Sequence, residues 1–160
     1  MIVKFLIKLS QNAQEWAEWI SETSPVPSAA NKTAYMRFTK WAHDTYSEST
    51  FYLQYDLNKP EPDDAASLAL FSKIDPKNPG WYAQVAERDT PYDYNRPTYT
   101  DATHFTLIVW KGVLFLGCGK HYGKNPTYGK SVLAVVCHYM PPGNLPVTTD
   151  GLRQYVKPPV

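Results

Sequence analysis

The sequence predicts an α/β fold, a three-layer α/β/α sandwich around an antiparallel sheet, and three observations carry that expectation. Apolar residues recur at helical spacing in the N-terminal half. Three β-type runs, "HFTLIVW", "VLFLGCG" and "SVLAVVCHYM", crowd the C-terminal part, and their short connections imply antiparallel neighbours. Those runs are apolar on both faces, so the sheet they form must be covered on both, here by the helices upstream.

The elements follow in order. Leu6, Leu9, Ala13, Trp16, Ala17 and Ile20 mark one buried face of a first helix. "SETSPVPSAANKT" reads as a loop, and Ala34, Phe38, Trp41 and Ala42 as a second helix ending near His43 and Asp44. The aromatic "STFYLQYD" (49–56) reads as a strand. "LNKPEPDD" ends it and offers Asp63 or Asp64 as N-cap for "AASLALFSKI". "WYAQVAERD" starts another short helix, and "TPYDYNRPTYTDAT" is an aromatic loop. Strands are expected near 105–111, 113–120 and 131–139.

At 160 residues the chain is the size of one domain, 1–160, able to bury a substantial core. A hydrophobic fraction of 43% with 19% charged residues excludes a disordered chain. The net charge of +1, spread along the chain, leaves no basic footprint for nucleic acid. Lys4 and Lys8 interrupt "MIVKFLIKL", which fits neither a signal peptide nor a membrane span. Cys118 and Cys137 are too few for a disulfide scaffold and lack zinc-site spacing. They lie symmetrically about a loop near 126–128, so antiparallel pairing brings them face to face, close enough for a disulfide in an oxidising compartment.

"HFTLIVW" with "LGCG", followed by "VVCHYMPPGN", resembles the two signature motifs of the CAP superfamily of cysteine-rich secretory proteins, venom allergens and pathogenesis-related protein 1. The second motif is the more specific, with Cys137, Tyr139, Pro141, Pro142, Gly143 and Asn144 all matching. Upstream, "NAQEWAEWI" resembles the family's "AQ-x-WA" helix, "WYAQV" its "WY-x-E" helix and "HD…SESTFYLQYD" its "HS…GEN" segment, and the chain is expected to begin after the family's first helix. The resemblance implies an α/β/α sandwich and a central cleft with two His and two Glu. His104 matches the strand histidine and His43 the first histidine. Glu48 matches the glutamate of "GEN" if the loop before it is shortened, with Ser47 and Ser49 replacing Gly and Asn. The other glutamate falls at Gln84. Thr103 and Leu107 also depart from the usual pattern.

Plainer readings compete with these roles. His104 can be a hydrogen-bonded histidine at a strand end, His43 a cation at a helix C-terminus, and Glu48 a solvated carboxylate. Gln84 is neutral and serves neither as a general base nor as a good metal ligand. The expectation is therefore a CAP domain without enzymatic activity, extracellular by its resemblance or else cytoplasmic. It would bind an apolar small molecule, a sterol or fatty acid, or a protein partner. Tyr92 and Tyr94 of the aromatic loop are expected as contacts. No cofactor is required, although His43 and His104 could hold a divalent metal such as zinc weakly. The competing reading is a metal-dependent hydrolase using His43, Glu48 and His104.

Overall fold

The computed structural model describes residues 2–22, 46–74, 79–85, 92–98, 102–126, 129–146 and 148–158. In chain order the elements are helix α1 (Ile2–Glu22), strand β1 (Ser47–Asp56), helix α2 (Ala65–Phe71), helix α3 (Thr103–Ile108), strands β2 (Phe115–Asn125) and β3 (Lys130–Met140), and helix α4 (Thr149–Tyr155). A 3-10 turn spans Ala83–Val85. The expected helix at 34–42, residues 23–33 of the loop before it and His43 lie outside the described residues, whereas Ser21 and Glu22, expected in that loop, end α1.

The sheet is antiparallel, with β3 at its centre and the order β1-β3-β2. Alternation along β3 sorts its apolar residues to two cores. Leu133, Val135, Cys137 and Tyr139 join Phe51, Leu53, Ala65, Ala69, Trp81 and Leu107. Ala134 and Val136 face Ala13, Trp16, Ala17 and Ile20 of α1. Helices thus cover both faces of the central strand, as its two-sided apolar pattern requires. Asp64 caps α2 by accepting from Ser67 N–H.

The run 105–111 is not a strand, contrary to expectation. Its residues 105–108 belong to α3, and residue 109 caps that helix before a turn leads into β2. Phe105 enters a third core with Tyr92, Trp110, Leu152 and Val156, while Leu107 enters the core on the sheet. A short helix buried on opposite sides has the same continuous apolar sequence as a strand buried on both faces, so periodicity does not separate them. The third strand of the sheet is instead β1. Helix α4, which lies beyond the sequence-derived elements, is capped by the Thr148 side chain.

Helix α1 approaches β2 closely because the strand presents glycine to it. A Cβ at Gly117 would lie 2.7 Å from Ser10 N, one at Gly123 would lie 2.9 Å from Ser21 Oγ, and one at Gly119 would meet the backbone of Gln14. These glycines sit inside the strand, where they mark a close backbone approach. Gln14 Oε1 also accepts the Lys120 N–H (3.1 Å), blocking part of this edge strand from further pairing. Cys118 and Cys137 are directly opposite in the register and form a disulfide with Cα atoms 4.1 Å apart.

Candidate functional site

A strap at residues 80–85 builds the site. The last carbonyls of α2 and its cap lack partners within the helix, and the strap supplies them. Gly80 N–H donates to Ser72 O (2.8 Å), Trp81 N–H to Ala69 O (2.7 Å) and Tyr82 N–H to Leu70 O (2.8 Å). The Trp81 indole then donates to Thr50 O of β1 (3.2 Å), fixing the strap on the sheet.

Three residues beyond Trp81, Gln84 reaches the start of α3. Ala102, at the N-cap, has no side chain able to accept, and the Gln84 carbonyl oxygen takes its place, accepting from His104 N–H (3.0 Å) and Phe105 N–H (3.2 Å). On the other side of α3, Asn144 donates its amide to Thr103 O (2.9 Å). Asn144 holds a left-handed backbone (φ 58°), which asparagine tolerates better than most residues. Ser47 Oγ donates to Gly143 O (2.8 Å), tying "PPGN" to the start of β1, so that motif has the structural role its Pro and Gly content suggests.

His104 is therefore fixed from three directions. Its Nδ1 lies 3.2 Å from Ser49 Oγ, and its ring is tilted against Trp81 at 6.4 Å. Burial pushes the imidazole down to about 4, only partly opposed by the negative charge of Glu48. It is a neutral imidazole at physiological pH, standing in the first turn of a helix rather than before a strand.

The structure brings Gln84 and His104 together and separates Glu48 from them. Glu48 pairs in register with His138, on the α1 face of the sheet, whereas Ser49 faces the opposite core and His104. Glu48 accepts from His138 Nε2 (2.9 Å), Trp16 Nε1 (3.1 Å) and Thr50 Oγ1 (2.9 Å), and only 12% of its side chain is exposed. It is an enclosed acceptor for three donors, not a solvated carboxylate. Sequence reasoning missed His138, which is buried against Tyr46 at 4.1 Å. The available signal was a histidine whose strand parity places it among the apolar residues under α1, where an imidazole needs a polar partner. Among the described residues no group of three or more His, Cys, Asp or Glu is disposed to hold a metal ion.

The aromatic loop divides. Tyr92 is buried in the third core, edge-on to Phe105 (5.4 Å) and Tyr94 (5.0 Å), while Tyr94 is half-buried. Burial, reinforced by Tyr94, pushes the Tyr92 phenol up to about 12. The outward aromatic surface lies beside them on the strap. Tyr82 is exposed, packs edge-on to Phe105 (5.6 Å) and Phe71 (5.7 Å), and continues the exposed apolar surface of Phe71 and Ile74.

Comparison with known proteins places this geometry in a family. The model of the cysteine-rich secretory protein family (CAP) matches residues 3–139. The fruiting body protein SC7 of Schizophyllum commune is 36% identical over 73 residues, 41% of this chain and 33% of that protein. Protein PRY2 of Saccharomyces cerevisiae (strain ATCC 204508 / S288c) is 37% identical over 67 residues, 41% of this chain and 18% of that protein. Golgi-associated plant pathogenesis-related protein 1 of Homo sapiens is 34% identical over 80 residues, 49% of this chain and 46% of that protein. The matches thus span less than half of each relative. The solved structure of BmVAL-1 superposes with a TM-score of 0.51 at 19% identity, covering 84% of this chain and 56% of that one, which supports the fold. The chain belongs to the cysteine-rich secretory protein (CAP) family.

Proposed function

We propose that this CAP domain is a secreted, non-enzymatic binding module whose ligand is an apolar small molecule of the sterol or fatty-acid class. The observation that carries the reading is the neutral His104 and Gln84 pair set beside the exposed Phe71, Ile74 and Tyr82. Gln84 supplies no charge and is engaged as a helix cap. His104 at about 4 is a weak base at neutral pH, and Glu48 is directed to the other face of the sheet. Phe71, Ile74 and Tyr82 offer exposed apolar and aromatic area suited to a lipid, with exposed Lys73 between Phe71 and Ile74 in the chain. The disulfide between Cys118 and Cys137 supports an oxidising destination.

The test pairs two assays on the folded protein. Fluorescent sterol and fatty-acid binding should saturate in the wild type and weaken about tenfold in Phe71→Ser/Tyr82→Ser, where two exposed aromatic contacts are removed. Ester and peptide hydrolysis, with and without added zinc, should stay at background. Hydrolysis that disappears in His104→Ala would overturn the reading. Absence of lipid binding by the wild type would pass the aromatic surface to a protein partner.

A further inference from the structure

The end of the sheet where β2 begins carries a further set of exposed apolar side chains. Helix α1 runs alongside β2, with Leu9 and Ser10 against Gly117 and Gln14 against Gly119, so Ile7 lies level with the first residues of the strand. Ile7 is exposed. Leu114, at 72%, is the most exposed large apolar residue among those described, and Leu116 is exposed on the sheet face turned from α1. Leu114 donates its N–H to Met140 O (2.9 Å), which brings the end of β3 and the loop carrying exposed Leu145 to the same end of the sheet.

Among the described residues, segments 7–10, 109–118 and 138–146 contain Lys8 and Lys111 and no aspartate or glutamate. Lys8 and Lys111 are exposed. Glu48 lies at the same end of the sheet but is enclosed by His138, Trp16 and Thr50, and Asp150 of α4 is faced by Arg153 at 3.7 Å. Exposed apolar side chains beside lysines complement a bilayer with anionic headgroups. The side chains enter the acyl boundary while the lysines meet the lipid charge. A second copy of the chain would instead set these lysines against their equivalents, which is unfavourable.

We propose that this end, formed by Ile7, Lys8, Lys111, Leu114 and Leu116, docks the domain peripherally on an anionic lipid bilayer. Flotation with vesicles of phosphatidylcholine alone or with phosphatidylserine tests it. The wild type should float with the phosphatidylserine vesicles, less so at high salt. L114S/L116S should reduce the partition coefficient about tenfold or more. K8E/K111E should reduce it about fivefold per lysine and remove the preference for phosphatidylserine. These side chains are on the surface, and near-ultraviolet circular dichroism checks that each variant keeps its fold. Absence of flotation, or flotation unchanged in both variants, overturns the proposal. So does a dimer in sedimentation that L114S/L116S abolishes while no flotation is seen, which would give the patch to a second copy.

Discussion

Replacing Gly119 with alanine tests how α1 is seated. The new Cβ would meet the N and Cα of Gln14 and the C of Ala13, which are backbone atoms in the middle of a 21-residue helix and cannot rotate aside. Restoring a normal carbon–carbon separation requires α1 to lift by about 1 Å. That opens a gap over Ala134 and Val136, and a gap of this size forfeits roughly a quarter to a half of each affected dispersion contact. Overpacking of this kind costs about 3 kcal/mol, which corresponds to a fall in Tm of roughly 6–12 °C for a domain of this size. Gly129 is the internal control. It has φ +58° and nothing near its Cβ position, so alanine there should cost only about 1 kcal/mol of backbone strain. Denaturant unfolding of the oxidised proteins measures both. If Gly119→Ala is no more destabilising than Gly129→Ala, the close seating of α1 on β2 is wrong.

Gln84→Ala should cost about 1 kcal/mol in denaturant unfolding, because two N–H groups of α3 lose their acceptor. Gln84→Glu should retain the cap and raise the titration midpoint of His104, read by NMR, through the added negative charge. Glu48→Ala strips the acceptor from His138, Trp16 and Thr50 together and should cost about 3 kcal/mol or more, again by denaturant unfolding. Reducing the disulfide, which closes a separation of 19 residues, should lower stability by about 3 kcal/mol in paired melts with and without a phosphine reductant.

Features with local signals were legible in the sequence. The apolar stripe of α1, the Asp64 cap, the two-sided pattern of β3 and the facing cysteines each depend on residues close together or in simple register. The helix at 103–108 was not legible, because its cap comes from Gln84, about twenty positions earlier in the chain, and its apolar residues serve two cores. In the sequence Gln84 stands only as a lost carboxylate. Its capping role appears only when the strap folds back along α2. The glycines at 117, 119 and 123 share one strand face, a pattern present in the sequence, but it takes on meaning only with α1 lying across it. Resemblance groups Glu48 with His104, whereas strand parity sends Glu48 to His138 and leaves Ser49 to meet His104.

His104 and Gln84 form a neutral, structurally committed pair. The imidazole titration of His104, followed by NMR against His104→Ala for assignment, tests this most directly. The midpoint should fall from the ordinary 6.5 to about 4, with no change between pH 6 and 8. The folded state then binds the proton less well than the unfolded chain. The associated stability is present above pH 6.5 and is lost as pH falls from there toward 4. A midpoint near 6.5 or above, with stability flat across that window, would contradict the claim and restore His104 as an acid–base group.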